Sequence, residues 1–135
     1  MASVLVDTSA WYAIIDKSDT DHPSAVRSLR QLGLSRANLI TTAHVLAELH
    51  RLLLHRTDRT KASMAVHKML ATPRLTLVHA DEADLAAALE WLARFSDQDF
   101  TLTDAIEFAV MERLQIRRAF AFDHDFSVAG FDLIA

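Results

Sequence analysis

A chain of 135 residues is long enough to bury one hydrophobic core and too short for two independent ones, so a single domain spanning 1–135 is expected. With 51% hydrophobic and 24% charged residues the composition is that of a compact folded protein, and a formal net charge of -4 excludes a polycation that grips any nucleic acid by counterion release alone. The absence of cysteine excludes disulfides, thiolate nucleophiles and Cys-ligated zinc, and two glycines, Gly33 and Gly130, cannot build a Gly-rich phosphate loop.

The opening MASVLVDTSAW lacks a basic start followed by a long apolar run, and no later segment reaches the roughly 20 apolar residues of a membrane helix. Neither export nor membrane insertion is expected, and a cysteine-free chain suits the cytoplasm. Val4-Leu5-Val6 is too short and too β-branched for a helix and predicts a strand ending at Asp7, where Asp7-Thr8-Ser9 opens a short helix to about Asp16. Asp21-His22-Pro23 opens a second helix running to Gly33. A strand over Asn38–Thr41 follows, then a long helix capped by Thr42 with apolar residues at Val45, Leu46, Leu49, Leu52 and Leu53. Asp58 opens a helix through Leu70, Leu75–Val78 reads as a strand, and Asp81 opens a helix to Phe95. After the polar loop Ser96–Asp99, a helix from about Thr103 to Leu114 leads to a strand over Ala119–Phe122 that ends at Asp123, and Asp132–Ile134 forms a last short strand.

Alternating short apolar strands and helices predict an α/β fold: a central parallel sheet of about five strands with helices on both faces. Ligands of such sheets bind just outside the carboxyl ends of the strands, near the topological switch point. Asp7 and Asp123 each follow an apolar strand, so both carboxylates emerge at that edge, although either one alone also reads as the cap of the next helix. Asp104, with Glu107 three residues later, has the same ambiguity because the pair resembles a capping box. Glu48 is more informative. It stands three and four residues from Val45 and Leu52, which turns it toward the apolar side of its helix; the alternative is a flank position with a solvated head.

If these four converge, each pair about 4 Å apart repels by roughly 4 kcal/mol at an effective dielectric near 20, so a cation must sit between them. Hard oxygen ligands without cysteine favour Mg²⁺ or Mn²⁺ over zinc. Such ions bind phosphate oxygens, lower the pKa of a bound water and offset charge on a leaving oxygen, which are the requirements of phosphodiester hydrolysis.

The stretches LVDTSAW, TTAHVLAEL, FTLTDAIEFAVMERLQI and AFAFDHDFSVAGF together resemble PIN domains, specifically VapC-type toxins, over essentially the whole chain. That resemblance implies an Mg²⁺- or Mn²⁺-dependent endoribonuclease whose metal-binding and catalytic carboxylates fall on Asp7, Glu48, Asp104 and Asp123. It also implies a homodimer and a small VapB-like antitoxin that covers the acidic cleft. Ser9 of DTS and Thr103 of LTD resemble hydroxyl residues that orient water or carboxylates in the family, and Asp97 resembles a frequent upstream acid. Many relatives place Thr or Ser two residues before the last aspartate, where this chain has Ala121, and Asp125 is a second acid close enough to share the role of Asp123.

Other features have plainer readings. His44 and Glu48 share a helix face without a third zinc ligand, and His124 is a loop side chain beside Asp123. The basic cluster Arg51, His55, Arg56, Arg59 and Lys61 straddles a helix end, where cations suit the macrodipole; its functional alternative is a track for RNA phosphates. Trp11 and Tyr12 suit a core or dimer contact, or stack a base. A PIN nuclease acting in RNA maturation or decay is the neighbouring possibility. A receiver-like Mg²⁺-binding signalling domain is disfavoured, because only Asp7 follows the first strand and no lysine closes the strand before Asp123.

Overall fold

The computed structural model describes residues 2–135. Five strands, β1 (Ser3–Val6), β2 (Asn38–Thr42), β3 (Leu75–Val78), β4 (Arg118–Phe120) and β5 (Asp132–Ile134), form one parallel sheet in the order β3-β2-β1-β4-β5. Among the described residues seven helices connect or flank them: α1 (Thr8–Ile15), α2 (His22–Leu34), α3 (Ala43–Arg56), α4 (Arg59–Leu70), α5 (Glu82–Arg94), α6 (Leu102–Leu114) and α7 (Asp125–Val128). Among the described residues no helix is long and apolar enough to cross a membrane.

The sheet separates two cores because successive strand side chains point to opposite faces. Val4 and Val6 join α1 to α4 on one face, with Leu39 and Phe120. Leu5, Ile40, Ala119 and Ala121 join α5, α6 and α7 on the other. Both faces are covered, which explains why the strands read as continuous apolar runs. The caps follow the local sequence: Asp7, Thr42, Asp58 and Asp81 are extended, and each side chain accepts a backbone N–H from the helix it opens.

Chain order runs outward from β1 through β2 to β3, then returns to the other side of β1 with β4 and β5. The switch point therefore lies between β1 and β4, where Val6 stands opposite Phe120 and the Asp7 N–H donates to the Phe120 carbonyl at 3.0 Å.

Two expected boundaries move near this edge, and one helix is added. The fourth strand stops at Phe120, short of Phe122, because the Phe122 N–H donates to the Ser9 hydroxyl at 2.9 Å and turns the chain out of the ladder. Asp123 thus sits in a loop after the strand, and the unforeseen helix α7 begins at Asp125. Helix α6 starts earlier than Thr103, with Thr101 as its cap; Asp104, for which a cap paired with Glu107 was the alternative reading, occupies the third helical position of a box with Thr101. Gly130, at φ 101°, makes the left-handed turn from α7 into β5 that other residues adopt only with strain.

Candidate active site

Asp7 is fixed where β1 gives way to α1. It is buried, and its Oδ2 accepts both the Ser9 hydroxyl at 2.7 Å and the Ser9 N–H at 3.2 Å. The Ser9 oxygen in turn accepts the Phe122 N–H, so one hydroxyl ties the Asp7 carboxylate to the chain leaving β4. Burial raises the Asp7 carboxyl above its ordinary pKa of 3.8 although the Ser9 bonds favour the charged form.

Asp104 comes from the opposite core. Its N–H donates to Thr101 Oγ1 and its Oδ2 accepts the Thr101 N–H, both at 3.1 Å, so the first turn of α6 is closed on itself and the carboxylate is aimed by that closure. Burial, reinforced by the charges of Asp123 and Asp7, pushes its pKa to about 7. One turn further along α6 stands Glu107, fully buried, with neither Oε1 nor Oε2 in a hydrogen bond. Burial and the charges of Asp7, Asp104 and Glu48 hold its carboxyl well above the ordinary 4.5. The adjacent Asp7 carboxyl supplies a donor only by keeping a proton.

The carboxylates fall into two overlapping groups. Oxygens of Asp7, Asp104 and Glu107 lie within 4.8 Å of one another in the interior, and oxygens of Asp104, Asp123 and Asp125 lie within the same span toward solvent. Asp104 belongs to both. The Asp125 N–H holds Asp123 Oδ1 at 2.9 Å, and burial together with the Asp123 charge raises the Asp125 carboxyl. Among the described residues no lysine or arginine pairs with any of these acids; the ion pair present joins Arg113 to Asp84 elsewhere. A set of oxygen ligands, some buried and lacking donors, with no protein cation between them, fits a hard divalent ion.

Of the residues singled out in the sequence, Asp7, Asp104, Asp123 and Asp125 converge. Glu48 is half-buried on α3 and belongs to neither group, although its charge acts on Glu107. Ser9 positions Asp7. Thr103 lies half-buried beside Asp104, but the hydroxyl that meets the Asp104 backbone is that of Thr101. Asp97 is exposed in the loop between α5 and α6, outside both groups. Ala121 packs fully buried in the core between the sheet and α5 to α7, so it offers the site no hydroxyl. Trp11 is core, its indole N–H near the Thr41 hydroxyl at 3.4 Å, while His44 and His124 are exposed.

Glu107 was not among the expected site residues. Helix α6 is buried continuously from Asp104 to Met111, so its sequence lacks the one-sided apolar pattern that tells an inward acid from an outward one. The available signal was the spacing of three between Asp104 and Glu107, which places both on one helix face.

The PIN domain family matches residues 4–132. The chain is 38% identical over 130 residues to the 23S rRNA-specific endonuclease VapC20 of Mycobacterium tuberculosis, a match covering 95% of each protein. The crystal structure of that protein, described as a sarcin–ricin loop cleaving toxin, superposes with a TM-score of 0.84 and 35% identity over 95% of both chains. Ribonuclease VapC26 of the same organism is 26% identical over 120 residues, 89% of this chain and 86% of that one. VapBC2 of Rickettsia felis, bound to a DNA fragment from its promoter, shares the fold with a TM-score of 0.74 at 14% identity, covering 97% of this chain and 96% of that one. These matches set the receiver-like alternative aside. The chain belongs to the PIN-domain family and, within it, to the VapC-type ribonuclease toxins.

Proposed function

We propose that this VapC-type ribonuclease cuts structured ribosomal RNA with Mg²⁺ or Mn²⁺ held by Asp7, Asp104 and Asp123, and with Glu48 completing the acidic wall on the α3 side. The observation that carries this reading is the pair of carboxylate groups sharing Asp104 at the switch point without a protein cation between them. A bound divalent ion supplies an activated water and offsets negative charge on the phosphate and the leaving oxygen. Ser9 and Thr101 hold the Asp7 and Asp104 carboxylates in place before substrate arrives. Because Asp104 keeps a proton up to about pH 7, loading the site releases protons, and occupancy rises with pH.

A substrate with a polyanionic backbone needs attraction beside an acidic centre. Arg51, His55, Arg56, Arg59 and Lys61 are all exposed at the junction of α3 and α4, and we assign them the track for flanking phosphates. Arg56 is held 4.9 Å over the Tyr12 ring, which orders one cation of that track. Similarity to VapC20 supports a ribosomal loop of the sarcin–ricin kind as the target. The VapBC neighbours support a VapB-like antitoxin as partner, and we extend the reading to a homodimer in the cytoplasm.

The test incubates the purified chain with intact ribosomes and with total RNA, with Mg²⁺, with Mn²⁺ and with EDTA, and maps new 5′ ends. One metal-dependent cut in 23S rRNA, lost in Asp104→Asn, is expected. Cleavage that persists in EDTA or in that variant would overturn the metal site, and cuts confined to other RNAs would overturn the target.

A further inference from the structure

We propose that Glu107 is a ligand of an inner divalent cation, which it shares with Asp7 and Asp104, separate from the ion site opened by Asp104, Asp123 and Asp125; this rests on reading the acidic cluster as a hard-cation site.

Burial and missing partners single Glu107 out. Its side chain is fully buried and neither carboxylate oxygen meets an N–H or hydroxyl donor; the one group within reach, the Asp7 carboxyl, bonds to it only if one of the two acids keeps a proton, whereas Asp7 also has the Ser9 hydroxyl and Asp84 has the fork of Arg113 at 2.8 Å. A buried carboxylate without donor or counter-ion is expensive, so a cation is the occupant that satisfies it. The geometry fits one. Helical spacing puts Glu107 a turn beneath Asp104 on one face of α6, and Asp7 reaches the same point from the end of β1. Three oxygens within 4.8 Å of each other can surround one ion, since metal–oxygen bonds of about 2.1 Å for Mg²⁺ place opposite ligands about 4.2 Å apart.

The two groups overlap only at Asp104, and a carboxylate has two oxygens. Asp104 can therefore bridge an inner ion, walled by Asp7 and Glu107, and an outer ion facing solvent through Asp123 and Asp125. Asp7 at the end of β1 and Asp104 and Glu107 on α6 would hold the inner ion, whose charge would offset the repulsion among them and tie β1 to α6. Asp104, Asp123 and Asp125 would hold the outer ion on the side open to solvent, where it would supply positive charge for a phosphate oxygen.

The experiment measures Mn²⁺ binding to metal-free protein by the loss of the free-ion EPR signal, for wild type, Glu107→Gln and Asp104→Asn, with thermal unfolding in EDTA alongside. Glutamine keeps the shape and removes the charge. Two bound ions in wild type, one in Glu107→Gln with affinity for the lost ion weakened at least about tenfold, and a metal-free Tm no lower than wild type are expected. Equal stoichiometry and affinity in Glu107→Gln, with loss in Asp104→Asn, would overturn this inference alone; no Mn²⁺ bound by wild type would overturn it together with the metal reading. Anomalous scattering from Mn²⁺-soaked wild-type crystals tests the same point without a variant. A peak bonded to Glu107 is expected, and a peak confined to Asp104, Asp123 and Asp125 overturns the assignment.

Discussion

Asp84 and Asp104 begin from the same local design and end in opposite chemical states. Each is the third helical residue of a capping box, Asp84 with Asp81 on α5 and Asp104 with Thr101 on α6, and each is buried. Asp84 meets Arg113, from the last turn of the neighbouring α6, in a two-pronged pair that holds its carboxyl below the ordinary range. Asp104 meets Asp7, Glu107 and Asp123 and is pushed up to about 7. The basic residue in the last turn of α5, Arg94, lies 4.2 Å above the Trp91 ring. A capping motif therefore fixes where a carboxylate stands, and the partner across the helix pair decides whether it is structural or reserved for a cation.

Removing one charge at a time separates the two acids. Asp104→Asn keeps a group that can reach the Thr101 N–H, so the helix start survives, yet metal-dependent cleavage should fall at least about 100-fold, on the scale of several kcal/mol for metal stabilisation of a transition state. In EDTA at pH 8 its Tm should match or exceed that of wild type. Asp84→Asn should do the reverse, lowering Tm and sparing the cleavage rate per folded molecule. Single-turnover cleavage and calorimetry on the pair check this; equal activity losses would show that the two acids are not functionally distinct.

The second contrast is in pH. An Asp104 carboxyl raised to about 7 holds a proton in the native state, between about pH 4 and pH 7, that the unfolded chain has released. Its contribution to stability therefore falls as pH rises through that window. Asp7 and Glu107, also raised, act with the same sign. Asp84 is lowered, so its contribution is present above about pH 4 and is lost as pH drops below. Urea unfolding in EDTA should show wild type losing a few kcal/mol from pH 5 to pH 8 relative to Asp104→Asn. Saturating Mn²⁺ should remove that difference by competing with the protons. A flat difference between the two proteins in EDTA would mean that the acids are already compensated.

Much of this was legible before the fold was seen, and the divide has a physical basis. Strand ends, helix caps and the switch-point rule depend on short stretches, which is why Asp7, Asp81 and Thr42 stand where the sequence put them. The position of Asp123 relative to β4 was less legible, because a hydroxyl distant in sequence, Ser9, ends that strand two residues early. Helix α7 is a single turn without a side-chain cap, too short to carry a periodic signal. Glu107 was hidden by the buried surroundings of α6, and the pairing of Asp84 with Arg113 spans 29 residues of sequence with no local mark.

A third intervention removes the cation at the paired end. Arg113→Met retains the apolar stem and leaves Asp84 buried without its counter-ion. Breaking a fully buried pair costs about 3–5 kcal/mol. The Arg113 side chain is 41% exposed, which lets water screen what remains and brings the expected loss to about 2 kcal/mol. Denaturant unfolding at pH 7 checks it. Cleavage by the folded fraction should be unchanged, since the Asp84–Arg113 pair contributes no residue to either carboxylate group.

The smallest effect isolates what the two helix starts have in common. Asp81→Ala and Thr101→Ala each remove the side chain that accepts the N–H of the third helical residue, at 2.9 Å on α5 and 3.1 Å on α6. Losing a cap costs about 1 kcal/mol, and the two variants should lose the same amount because the bonds are equivalent. Their activities should differ. On α5 the freed acid is still clamped by Arg113, so Asp81→Ala should cleave RNA like wild type. On α6 the residue 101 N–H still reaches the Asp104 carboxylate, but no arginine clamps it as Arg113 clamps Asp84, and loosening the first turn should weaken Mn²⁺ binding by up to about tenfold, as removal of a group that orients a metal ligand does. Equal Mn²⁺ affinity in Thr101→Ala and wild type would show that burial among carboxylates, with no help from the capping box, is sufficient to aim Asp104.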